Sequence, residues 1–347
     1  MSLQPIFNPA CVAIIGASPL PGRAGYRFAQ ALLRTEFRGQ MFFVNPRGGE
    51  IDGRKIYSKL ADVAEPIDLA LIQVNRSMVL GVLEECAACG VKAVILYTSG
   101  FGESDEDGVR LEAELVRFAQ RTGIRIVGPN CQGVYNAAIK LNLTGSAAIP
   151  PGDIGMISQS GGLGAHAWRD ASEDLGCGFS SFVSMGNQID IRAHEYMAHM
   201  RDDADTRAVV VYLEGLRAGS GRQFIEAVRS TAQIKPVLVI KGGRTEFGQR
   251  AANSHTGSLV GTADVFSEAM REAGAIEVEH FEELLPIAQA MVHCPPPTTN
   301  ALALIGFGGG HSTLAADAIG LAGFDMPTFT PEMNEKLAQL LPVYAPM

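Results

Sequence analysis

The chain has 347 residues, 47% of them hydrophobic and 19% charged, with a formal net charge of −9. That is enough apolar material for two or three folded domains and too much for a disordered chain. The acidic balance excludes the basic face of a nucleic-acid binder, and no apolar run approaches the roughly 20 residues that span a bilayer as a helix.

No basic-plus-apolar signal opens the sequence. The six cysteines are irregularly spaced and do not form a disulfide framework, so reduced thiols and a cytoplasmic setting are expected. Cys86 and Cys89 sit on a predicted helix that stops at Gly90, which is half a zinc site at best, and no metal is expected.

The chain then alternates strand and helix. Cys11–Ile15 is a short apolar strand, followed by a turn carrying Gly16, Ala17, Ser18, Gly22 and Gly25 and a helix from Tyr26 to Arg34. Residues 41–46, 69–74 and 93–97 read as further strands, with helices over 77–89 and about 106–122. The run Ile124–Asn130 closes this series, whose alternation predicts a parallel, doubly wound sheet.

The first turn predicts a nucleotide site, but it lacks the dinucleotide fingerprint: Ser18 replaces the second glycine, and the second strand ends in Asn45-Pro46-Arg47 without an acid. An arginine there suits a ribose phosphate, which NADP carries at the 2′ position and coenzyme A at the 3′ position. An NADP-dependent dehydrogenase is therefore one reading of this turn, though it leaves the rest of the chain unexplained.

The Pro/Gly cluster at 149–152 predicts a boundary, giving a first domain over 1–137 and a second over 138–294. The second series opens with strand Ile154–Ser158 and the turn Gln159-Ser160-Gly161-Gly162, a helix N-terminus suited to anions. Strands follow at 179–183, 208–213 and 237–240, with helices near 190–201, 220–232, 262–273 and 280–292. Glu214 lies just beyond a buried strand, at the edge where such sheets bind ligands, and could orient an imidazole. His255 falls in Ser254-His255-Thr256-Gly257, read as a Gly-rich strand-to-helix turn able to hold a phosphoryl group, with the histidine as its nucleophile. His194 and His199, five apart on one helix, do not share a face as metal ligands would. After a stiff Pro295-Pro296-Pro297 linker, Ala301–Ile305 is predicted to open a third strand-glycine-helix unit over 298–347, too short for another doubly wound domain.

Taken in order, Gly16-Ala17-Ser18, Val44-Asn45-Pro46, Gly128-Pro129-Asn130-Cys131, Ser158-Gln159-Ser160-Gly161, Tyr212-Leu213-Glu214-Gly215 and Ser254-His255-Thr256-Gly257 resemble the α part of NDP-forming acyl-CoA synthetases. That family comprises the ADP-forming acetate–CoA ligases, with the succinyl-CoA synthetase α subunit as a distant relative. The resemblance implies a Rossmann-type CoA-binding domain, a flavodoxin-like domain with a phosphohistidine, and a third flavodoxin-like domain that is cut short here. By match of motif His255 is the phosphohistidine and Glu214 the residue that holds it. Ser158, Gln159, Ser160, Gly161 and Gly162 form the phosphate site. Gly16, Ala17, Ser18, Gly22, Gly25, Asn45, Pro46, Arg47, Gln73, Val74 and Asn130 contact CoA. The resemblance also implies ATP or ADP with Mg on an ATP-grasp β subunit or region, a small carboxylic acid or acyl-CoA as substrate, and an oligomeric assembly. Relatives that lost the histidine are CoA-binding regulatory modules, and that non-catalytic reading stands as the alternative.

Overall fold

A computed structural model of the chain describes residues 2–146, 149–255, 263–306 and 308–340, without the side chains of residues 174 and 252–255. It divides into a large unit, Met1–Cys294, and a small one, Pro295–Met347.

The large unit begins with α1 (Gln4–Phe7), β1 (Cys11–Ile15), α2 (Ala24–Arg34), β2 (Gln40–Val44), β3 (Glu50–Ile51) and β4 (Arg54–Tyr57). There follow β5 (Leu69–Ile72), α3 (Val79–Ala88), β6 (Ala93–Leu96), α4 (Glu106–Thr122) and β7 (Arg125–Val127). The strands order as β3-β4-β2-β1-β5-β6-β7. All neighbours from β4 to β7 are parallel, and β3 adds an antiparallel edge. β1, β5 and β6 are buried along their whole length, which their unbroken apolar sequences require once helices cover both faces. Helix α4 shows the local logic: Asp105 caps it by accepting from the Gly108 amide at 2.6 Å, and Gly123 ends it in the left-handed conformation at φ 75°.

The chain then enters a second sheet through β8 (Gly133–Asn136) and β9 (Leu141–Leu143), an antiparallel hairpin. It continues with β10 (Pro151–Ser158), α5 (Gly161–Asp170), β11 (Phe179–Ser184), α6 (Ala193–Asp202), β12 (Ala208–Leu213) and α7 (Gly221–Ala232). The last elements are β13 (Val237–Lys241), α8 (Glu246–His255), α9 (Ala263–Glu272), β14 (Ile276–Glu277) and α10 (Leu284–His293). The order is β14-β13-β12-β10-β11-β8-β9. Strands β10 to β14 form a parallel flavodoxin-type core, and β8 lies antiparallel on β11. The sequence boundary at 137/138 falls inside the β8–β9 hairpin. The Pro/Gly cluster marks entry into β10, while the chain changes sheet between Val127 and Gly133.

One apolar cluster runs through both sheets, from Ile14, Leu71 and Val127 to Val134, Ile157 and Val211. Arg125 of β7 spans the seam with ion pairs to Asp190 at 2.9 Å and Glu195 at 2.8 Å. His199 on α6 stacks on Phe7 of α1 with ring centroids 4.1 Å apart. Burial holds its pKa below the usual histidine range.

In the small unit, α11 (Gly309–Leu321) covers the predicted helix and α12 (Pro331–Ala338) is additional. The predicted strand over 301–305 is a correction: Ala301 makes one parallel bridge to Asp325 and no ladder follows. An apolar run needs a neighbour along its length to become a strand, and Ile305 here is 91% exposed.

Candidate functional site: a cleft between two switch points

Each sheet reverses its winding beside the first strand of its parallel series, and at such a switch point the carboxyl ends of neighbouring strands leave a crevice. In the first sheet β1 lies between β2 and β5; in the second, β10 lies between β11 and β12.

At the first switch point glycine is a steric requirement. Gly16 has φ +93°, and a Cβ on it would lie 2.0 Å from the Gln73 carbonyl oxygen. A Cβ on Gly25, in the first turn of α2, would lie 2.1 Å from the Gly16 oxygen. Strand, turn and helix therefore approach as closely as backbone allows, which exposes the helix N-terminus to an anion. Gly22 also has positive φ but faces open space. Ser18 Oγ accepts from the Leu20 amide at 3.2 Å and Ala17 is buried. Asn45 ties the second strand to this turn: its Nδ2 donates to the Ala17 oxygen at 2.7 Å, and its Oδ1 accepts from the Arg47 amide at 3.0 Å. Pro46 and Arg47 are exposed beside it. Gln73 and Val74 stand at the end of β5, where the Val74 oxygen accepts from Thr98 Oγ1 at 2.8 Å.

The second switch point is built from polar side chains. Ser160 caps α5, its Oγ accepting from the Leu163 amide at 3.3 Å, and Ser158 Oγ donates to the Ser160 oxygen at 2.6 Å. The first-turn amides of Gly161 and Gly162 have no acceptor within the helix and suit an anion. Gln159 Oε1 accepts from the amides of Glu214 at 2.8 Å and Gly215 at 3.1 Å, joining the end of β10 to the end of β12. Glu214, 7% exposed, accepts from Tyr212 OH at 3.1 Å. Burial and the adjacent Glu214 charge raise the Tyr212 pKa, so the phenol stays a donor. Lys241, 5% exposed at the end of β13, donates to the Glu214 carbonyl oxygen at 2.7 Å and to that of Gly242. Burial lowers its pKa, opposed by the nearby carboxylates Glu214 and Glu277.

The end of β5, beside the first switch point, and the α5 N-terminus at the second open into one cleft of about 600 Å³. Of the predicted residues, Gln73, Val74, Asn130, Gln159, Ser160, Gly161 and Gly162 line it together. The Gly16–Gly25 turn, Asn45–Arg47, Ser158 and Glu214 are not on its wall. Cys131 is, but burial pushes its thiol up to about 12, which leaves it protonated and unreactive. The sequence reading of His255 changes in one respect: it lies within α8 (Glu246–His255), so a helix and not only a turn intervenes after β13. Its side chain and residues 256–262 lie outside the described residues. Among the described residues no cluster of His, Cys, Asp or Glu could hold a metal ion, and no helix is long and apolar enough to cross a membrane.

Sequence reasoning missed Lys241, Asn187, Arg217 and Glu112. Lys241 carried a signal, because a lysine ends an otherwise unbroken apolar strand. The other three are joined by contacts too distant in sequence to leave one.

Residues 10–137 match the CoA binding domain family, and residues 151–291 match the succinyl-CoA ligase like flavodoxin domain. The chain is 40% identical over 325 residues to the acetate–CoA ligase [ADP-forming] I subunit alpha of Pyrococcus furiosus, covering 92% of this chain and 69% of that one. It is 39% identical to the acetate–CoA ligase [ADP-forming] of Methanocaldococcus jannaschii, covering 98% of this chain and 47% of the relative. Among solved structures, the dinucleotide forming acetyl-coenzyme A synthetase 1 of Ca. Korarchaeum cryptofilum, in complex with phosphate and ADP, superposes with a TM-score of 0.90 at 34% identity. That superposition covers 99% of this chain and 74% of the other. With the sheet orders, these similarities establish that the chain belongs to the ADP-forming acetate–CoA ligase family, on the α-subunit side.

Proposed function

We propose that the chain is the CoA-binding and phosphoryl-carrying part of an ADP-forming acid–CoA ligase, completed by an ATP-grasp β subunit or region in a cytoplasmic assembly. The observation that carries this reading is a cleft in which Gln73 and Val74, at the end of β5, and Asn130 face the serine-capped N-terminus of α5, whose amides suit an anion.

The turn at Gly16 and Gly25, packed too closely on backbone to admit a Cβ, brings the α2 N-terminus where it suits the diphosphate of CoA, and exposed Arg47 suits its ribose phosphate. Gln73, Val74 and Asn130 then guide the arm toward the Ser160 helix. Phosphate held by the Gly161 and Gly162 amides attacks the acyl carbonyl of acyl-CoA. The C–S bond breaks, and acyl-phosphate and CoA result. His255 attacks the phosphorus through a neutral imidazole nitrogen, releasing the carboxylate. Glu214 orients the imidazole and stabilises the cation formed. Phospho-His255 passes its phosphoryl group to ADP, which with Mg²⁺ enters on the ATP-grasp part. Every step reverses in the direction of acyl-CoA synthesis.

Incubation of the chain and its ATP-grasp partner with γ-labelled ATP should give an acid-labile label on the chain, absent in His255→Ala. Undiminished labelling and turnover in that variant would refute the phosphohistidine. CoA binding without any label in the wild type would point instead to a regulatory CoA-binding module.

A further inference from the structure

Asn187, in the loop between β11 and α6, lines the cleft and is 7% exposed. Its backbone is pinned at both ends: its amide donates to the Pro129 oxygen at 2.9 Å, and its carbonyl accepts from Arg217 Nε at 2.7 Å. Its side-chain Nδ2 donates to Glu103 Oε2 at 2.6 Å and Glu112 Oε2 at 2.8 Å. Both carboxylates come from the other sheet's half and are themselves held. Glu103 accepts from the Gly100 amide at 2.6 Å and the Phe101 amide at 3.2 Å. Glu112 accepts from the Gly102 amide at 3.1 Å and pairs with the Arg217 guanidinium.

Carboxylates only accept, so the nitrogen of the Asn187 amide must face them and both of its hydrogens are committed. The oxygen is then an acceptor in an orientation fixed from several sides, in the wall of a ligand cleft. An amide oxygen offers no donor to a phosphate or a carboxylate, while the Ser160 helix opposite favours them. The neighbouring Gly186, at φ +55°, presses so close to Pro129 that a Cβ would lie 2.1 Å from its oxygen, setting the Asn187 loop directly against Asn130.

We propose that Asn187 is a specificity-determining residue of the cleft: its Oδ1 accepts a hydrogen bond from the uncharged end of the CoA arm, the thiol or the amide N–H nearest it. This rests on the CoA reading above. Glu103, Glu112 and Arg217 act as positioning residues that hold the amide.

The test uses the full chain with its ATP-grasp partner. Binding is measured for CoA, for desulfo-CoA, and for an analogue in which the thiol-proximal amide N–H is replaced by oxygen. Wild type should prefer CoA over one of the two analogues about fivefold, the worth of one hydrogen bond. Asn187→Ala, or Asn187→Ser should the first fail to fold, should erase that preference and leave binding of the disfavoured analogue unchanged. Glu112→Gln should erase part of it. Equal weakening of all three ligands, or no change in any, would overturn the assignment. A wild-type protein that binds none of them would remove the CoA reading and this inference with it.

Discussion

The two switch points are built by different physical means. The first is defined by what is absent, since Gly16 and Gly25 leave no room for a Cβ and the backbone itself forms the cradle. The second is defined by side chains: Ser160 caps, Gln159 braces, and Glu214 is held between Tyr212 and a buried Lys241. A steric cradle suits a ligand that is bound and released unchanged. A polar cradle can respond to a group whose charge changes during reaction. On the proposed chemistry, the division of labour between CoA binding and phosphoryl transfer is already visible in the residue types.

Substitutions can break that division. Gly16→Val should have the largest effect, because positive φ and a clash with the Gln73 oxygen act together. We expect loss of CoA binding by calorimetry and a stability loss of roughly 3 kcal/mol or more in urea titration. A variant that still bound CoA normally would show that the turn is not a steric gate. Glu214→Gln keeps the shape and removes the charge that offsets the imidazolium. The rate of phosphoryl transfer should fall about 100-fold with CoA affinity unchanged. A matching loss of CoA affinity would dissolve the distinction between the two sites. Ser160→Ala removes one cap and should cost about 1 kcal/mol, with a raised KM for phosphate and an unaltered KM for CoA. The smallest effect serves as a control on the seam. The lowered pKa of His199 means that the unfolded chain binds the proton more readily. Stability should therefore be fully present above pH of about 6.5 and decline as pH falls toward the lowered folded value. His199→Gln should flatten that slope in urea midpoints without moving either site's KM.

Much of this architecture was legible in the sequence, because parallel strands buried on both faces have a period and a composition that announce them. The close turn at Gly16 and Gly25 was legible too: close backbone approach demands glycine, and glycine is visible. Three features were not. The β8–β9 hairpin is short, and its partner β11 lies more than 40 residues on, so no local pattern reports the pairing. Helix α8 hid behind its small and polar residues, which read as turn. The Asn187 network joins residues that are ordinary in isolation and acquire meaning only when α4 packs against the β11–α6 loop. Conversely, the run at 301–305 looked like a strand and is not one, since apolar composition permits pairing without supplying a partner.

The β8–β9 hairpin also bears on how this architecture can be divided. Its strands are coded between the two series yet complete the second sheet, where β8 covers the side of β11 that would otherwise be an open edge. Cutting the chain at residue 137 would split the hairpin, so the excised second half should self-associate and the excised first half should carry an orphan strand. Shuffling of these halves among related enzymes is therefore constrained to exchange points before Gly133 or beyond the whole unit, in the proline run after Cys294.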